Sequence, residues 1–173
     1  MVFSLSKSLE ILERTPIVLR HLLGDLSEEW LHENEGPKTW SPYEVLGHLI
    51  EGEKTDWMVR LRIILSDNPD KTFEPFDRFA HLNKETNPSV SVLLEEFEAL
   101  RTQNLAELKA LALSNQDLDK TGIHPEFGAV TIRELLSSWV VHDLGHIAQI
   151  SRVMAKQYST EVGLWVKYMR ILD

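Results

Sequence analysis

Apolar residues recur along this chain at steps of three and four, the spacing of helices that turn one face to a core. No stretch alternates persuasively enough to read as a strand. The first helical run extends from Ser4 to Leu23, with Leu5, Leu9, Leu12, Val18, Leu19, Leu22 and Leu23 at helical spacing. Thr15-Pro16 interrupts it, which predicts a kink or two abutting helices with Thr15 capping the second. Residues 25 to 39 read as a loop around a short turn at "SEEWL". The second helix has a strong start in "WSPYEVLGHL": Ser41 as N-cap, Pro42 at the first position and Glu44 closing a capping box. It runs to about Ser66, where "SDNPD" stops it.

Residues 67 to 88 then form a long, proline-punctuated connection, a length that in compact domains often carries function. The third helix spans about Ser89 to Leu113, with Val90, Leu93, Leu94, Phe97, Leu100, Leu108 and Leu111 facing inward. After the loop "SNQDLDKTGIHPEFGAV", a second capping box, Thr131 to Glu134, opens a fourth helix that reaches about Gln157. The tail "YSTEVGLWVKYMRILD" adds a short helix. Four amphipathic segments without a sheet predict an all-α four-helix bundle, with residues 1 to 173 forming a single domain. The long link between helices two and three allows a crossover in place of simple up-down-up-down order.

Composition narrows the functions available. A net charge of −9 and the lack of a dense Lys/Arg cluster argue against nucleic acid and against an anionic membrane surface. No apolar run is long enough to span a bilayer, and Lys7, Glu10, Glu13 and Arg14 break any signal-peptide core, so a cytoplasmic location is expected. The chain has no cysteine, which removes disulfides, a protein thiol nucleophile and thiolate metal ligands.

The inner stripe of helix four reads Ile132, Leu135, Trp139, His142, His146, Ile150, Val153. Two imidazoles one turn apart therefore stand where leucines would, and both can converge on one point. By itself HxxxH is more often an ordinary pair of histidines, buried and hydrogen-bonded to neighbours or partly exposed at the bundle's end, than a metal site. His48, near the inner stripe of helix two, offers a third nitrogen. Three neutral imidazoles suit Zn, Ni or Fe and leave coordination positions open. A metalloprotease zincin would need Glu after the first histidine, where Asp143 stands. A di-iron site would need Glu-x-x-His pairs, and His48-x-x-Glu51 runs in the reverse order.

The blocks "WSPYEVLGHLIEGE" (40 to 53) and "VTIRELLSSWVVHDLGHIAQISRVM" (130 to 154), with a leading "TPIVLRHLLGDL", resemble the DinB family and its YfiT-like metalloenzymes. The resemblance implies an up-down-down-up bundle, a divalent metal held by His48, His142 and His146, and a homodimer. Relatives with this bundle include transferases that use a low-molecular-weight thiol as cosubstrate. The expected activity is thus a metal-dependent S-transferase acting on a small electrophile. The alternatives are a hydrolase using metal-activated water, or a non-catalytic metal-stabilised binding protein. No catalytic residue is assigned. Glu51 and Gln149 are candidates to orient a ligand imidazole, against simple solvation. Asp143 is expected to ion-pair with a neighbouring helix. Arg78 and His81 of the long loop could reach over the open side of the metal, or belong to a mobile surface. His21, His32 and His124 read as partly exposed, and Trp40, Trp57 and Trp139 as core or pocket mouth.

Overall fold

The structure is a computed structural model that describes residues 2–83 and 86–173. Its helices are α1 (Leu5–Leu12), α2 (Thr15–Leu23), α3 (Glu28–His32), α4 (Pro42–Thr55), α5 (Trp57–Leu65), α6 (Val90–Ala110), the single turn α7 (Asn115–Leu118) and α8 (Ile132–Lys156). The frame is all-α, but it has more helical segments than the four expected. The first predicted helix divides at residues 13 and 14 into the two abutting helices expected at Thr15-Pro16, and the second divides at Asp56. There the backbone leaves helical geometry (φ −112°, ψ −80°), and the carboxylate turns to Arg60 one turn on, at 2.5 Å. Gly52 makes room for the break, since a β-carbon there would lie 3.2 Å from the Trp57 indole nitrogen.

Both predicted capping boxes are present. Glu44 N–H donates to Ser41 Oγ while Ser41 N–H donates to Glu44 Oε2, and Thr131 and Glu134 exchange the same pair of bonds. Thr15 departs from its predicted role. Arg14 is the cap residue of α2, and the Thr15 hydroxyl instead donates to Asp143 across the core. Leu111, placed on the inner face by its spacing, is exposed because α6 ends at Ala110.

Side-chain pairs give the helix directions. Tyr43 bonds the Pro88 carbonyl, Glu53 pairs with Arg101, and Arg62 pairs with Glu107, so α4–α5 and α6 run the same way. Glu13 with Lys109 and Arg20 with Glu98 set α1–α2 against α6. Trp40 lies beside His146 and Trp57 beside Trp139, so α8 runs opposite to α4–α5. The connection from α5 to α6 must therefore travel back along the bundle.

That connection is partly ordered by backbone pairing. Thr72 bridges to Ile123, and residues Ala80–Asn83 form a 3-10 turn packed on α4. Residues 84 and 85, within the predicted loop, lie outside the described residues. The segment before α8, read as plain loop, holds a two-stranded antiparallel hairpin, β1 (Thr121–His124) and β2 (Gly128–Thr131). It packs so closely that a β-carbon on Gly122 would run into the Phe73 ring. Two further 3-10 turns, Gly163–Tyr168 and Arg170–Leu172, make up the predicted helical tail.

The core lies in two apolar blocks. One is built on Leu12, Trp57, Leu61, Leu108, Ile132 and Trp139, the other on Leu19, Leu46, Ile50, Phe97 and Ile150. Each fully buried leucine or isoleucine contributes about 1.5–3 kcal/mol. Between the blocks runs a layer of buried polar groups, comprising Thr15, His48, Glu53, Arg101, Asn104 and Asp143. No helix among the described residues is long and apolar enough to cross a membrane.

Candidate metal centre

The capping box at Ser41 phases α4 so that Val45, Leu46, Leu49 and Ile50 enter the core, and His48, 4 % exposed, comes with them on the side facing α8. The Thr131 box phases α8 in the same way, turning His142 and His146 toward α4. The three Nε2 atoms meet: His142 Nε2 is 3.1 Å from His48 Nε2 and 3.1 Å from His146 Nε2. Among the described residues this is the cluster of ligand-type side chains whose atoms converge closely enough to hold one ion.

The donor set fits a metal on two counts. With metal–nitrogen bonds of about 2.05 Å, edges of this length correspond to nitrogen–metal–nitrogen angles of about 98°, between octahedral and tetrahedral values. The tautomers point the same way. Gln149 Oε1 can only accept, so at 2.8 Å it takes the Nδ1–H of His146, leaving that ring's Nε2 as a lone pair aimed at the cluster. The single proton His142 Nε2 can carry cannot serve both of its 3.1 Å neighbours. One contact is then left without a hydrogen bond unless a cation lies between the nitrogens.

Electrostatics keep the rings neutral, as ligands must be. Burial pushes His48 down to about 4 and His142 to about 3, and the neighbouring imidazoles add to the shift. Burial also lowers His146, while Gln149 and the Asp143 charge pull it partly back. Aromatic rings enclose the site. Trp40 lies 4.8 Å from His48, Trp57 stands edge-on to His142 at 5.1 Å, and Phe76 meets His48 edge-on at 5.5 Å. His81, from the long loop, is buried against Trp40 and His48 and packs on Gly47.

Of the two residues considered for orienting a ligand, Gln149 reaches His146. Glu51 is half-buried one turn beyond His48 and contributes no atom to the converging set. His124 lines the mouth of the same cavity, which has a volume of about 510 Å³. His21 and His32 lie apart from it. Trp57 and Trp139 are core residues, and Trp40 is half-buried at the site.

The reading from sequence missed what lies behind the histidines. Arg101, 1 % exposed, donates to both oxygens of Asp143 (2.6 and 3.1 Å), to Glu53 (2.8 Å) and to the Leu12 carbonyl (2.9 Å). Asn104 and the Trp139 indole N–H complete the shell of Glu53. Asp143 does ion-pair with a neighbouring helix, as expected. The signal for the rest was that Arg101 and Asn104 continue the inner stripe of α6 between Phe97 and Leu108.

A helical bundle whose core presents three converging imidazoles from two helices, with an open cavity on one side, has the architecture of a small metalloenzyme. The family model of the DinB superfamily matches residues 11–150, and the chain belongs to that superfamily. It is 26 % identical over 149 residues, 84 % of this chain and 83 % of the relative, to an Oceanobacillus iheyensis protein provisionally named a metal-dependent hydrolase. Its fold matches that of YfiT from Bacillus subtilis, described in similarly provisional terms as a metal-dependent hydrolase with an unusual four-helix bundle topology. The TM-score is 0.76 at 20 % identity, over 91 % of both chains.

Proposed function

We propose that this protein is a metal-dependent hydrolase of small molecules, with His48, His142 and His146 holding a divalent ion such as Zn, Ni or Fe. The observation that carries the reading is the convergence of three imidazole Nε2 atoms, 3.1 Å apart along two edges, at the floor of an open cavity. The names of the two relatives support hydrolysis over transfer. An ion held by three protein ligands supplies Lewis acidity and a nucleophile at neutral pH.

The chain's own residues do the rest. Burial holds the imidazoles neutral, and Gln149 fixes the His146 tautomer by accepting a hydrogen bond from its Nδ1–H. Trp40, Trp57 and Phe76 pack around the imidazoles, with Phe76 on the cavity side. The directions of the four long segments support reading the fold as the up-down-down-up bundle, working as one domain. The acidic charge and the absence of cysteine support a cytoplasmic enzyme without nucleic-acid or membrane partners. Homodimer formation rests on the family resemblance alone.

The transferase reading, with a low-molecular-weight thiol as cosubstrate, uses the same histidines. The two readings separate when metal-reconstituted protein is screened against esters, amides and phosphoesters with and without added thiol. Turnover without thiol, lost in His142→Ala, supports hydrolysis. Turnover that strictly requires a thiol replaces it with transfer.

A further inference from the structure

We propose that Arg78 is the substrate-recognition residue of this site and that the substrate is a small organic anion, a carboxylate or phosphate monoester, carried on an apolar or aromatic body. The proposal deepens the hydrolase reading and rests on the same cavity. That cavity has the three histidines at its floor and the segment bearing Phe76 and Arg78 as one wall. The hairpin supplies the other, where His124 and Phe127 stack at 4.3 Å with an interplanar angle of 11°. Phe76 and the exposed Phe127 ring give an apolar body surface on both walls of the cavity.

The charges around the cavity single out Arg78. Arg60 also lines it, but its guanidinium is nearly buried and paired with Asp56 at 2.5 Å, so the two cancel. Glu126 lies at the hairpin tip, with its own N–H turned to His124 Nδ1. Asp77, next to Arg78, has its carboxylate occupied by the Phe79 N–H. Arg78 forms no ion pair among the described residues. Its guanidinium is held over the rings of Trp40 (5.6 Å) and Phe79 (5.5 Å). A guanidinium positioned by aromatic faces keeps its N–H edge for a ligand, and that edge matches a carboxylate or phosphate in two-point fashion. Arg78 lines the same cavity as His48, His142 and His146. A substrate anchored there would place the bond beyond its anionic group over the three nitrogens.

The test is isothermal titration of benzoate, phenyl phosphate and neutral benzamide into wild-type, Arg78→Ala and Arg78→Lys protein, each chelator-treated and each zinc-loaded. Because Arg78 is exposed, unchanged melting curves will show that the variants fold. At least one of the two anions is expected to bind wild type at least tenfold tighter than benzamide in both metal states. Arg78→Ala should lose that preference and Arg78→Lys should keep part of it. An anion preference that survives Arg78→Ala, or one absent from wild type, overturns the proposal. If zinc does not bind at all yet the Arg78-dependent preference persists, the metal reading fails and this one stands. If zinc binds normally without the preference, the reverse holds.

Discussion

Arg101 donates two hydrogen bonds to Asp143, at 2.6 and 3.1 Å, in a position where neither side chain reaches solvent. Asp143 directly follows His142, so the pair anchors α8 to α6 one residue from the metal centre. Burial disfavours the charged guanidinium, but Asp143 and Glu53 more than offset it, and the Arg101 pKa is raised overall. Removing the cation would leave two carboxylates enclosed without a counter-charge. Arg101→Met is expected to cost about 3–5 kcal/mol, read by urea denaturation, while Asp143→Asn, which keeps a hydrogen-bonding group, costs less. Equal stability of Arg101→Met and wild type would show that the pair does not hold the bundle together.

Gln149 sets the tautomer of His146 through one 2.8 Å bond. Gln149→Leu keeps the volume and removes the acceptor, so zinc affinity should fall by about 10–100-fold while thermal stability of the chelated protein changes little. A competitive chelator titration reads the first quantity and a melting curve the second. Unchanged affinity would mean that the bond is incidental.

The metal-free protein should lose stability as the pH falls. His48 and His142 are held at about 4 and about 3, below their ordinary 6.5, whereas the unfolded chain protonates them near 6.5. Between those limits the unfolded state binds more protons, so the free energy of unfolding decreases on acidification and is unaffected by these groups above the window. Urea midpoints measured across this window should fall more steeply for wild type than for His142→Gln. Identical slopes would place the rings outside the coupling.

Much of this was legible in the sequence because the signals are local. Ser41-Pro42 with Glu44, and Thr131 with Glu134, mark two helix starts by chemistry confined to one turn, and the starts set the phase that brings His48 to His142 and His146. The buried layer was harder to see, because Arg101 and Asn104 occupy apolar stripe positions and only packing supplies Glu53 and Asp143 as partners. The division at Asp56 was hidden for a similar reason. Residues 42 to 66 keep a helical period, and the break depends on Arg60 and on Trp57 fitting over Gly52. The hairpin has only four residues per strand, and beyond its own pairing it is held by Thr72 and Phe73, distant in sequence.

Gly122 tests that last contact. The added methyl of Gly122→Ala would press on Phe73 Cζ at 2.5 Å and Ile64 Cγ1 at 2.9 Å. The substitution should destabilise by about 1–3 kcal/mol, seen as a lower urea midpoint, with zinc stoichiometry retained. No loss of stability would show that the hairpin does not pack against α5.

The central claim is that His48, His142 and His146 hold one divalent ion, and elemental mass spectrometry of natively purified protein tests it most directly. The expected result is near one metal per chain in wild type, lost in His48→Ala, His142→Ala and His146→Ala while their helical circular dichroism is retained. Wild-type protein that stays metal-free after reconstitution with zinc, nickel and ferrous iron would contradict it.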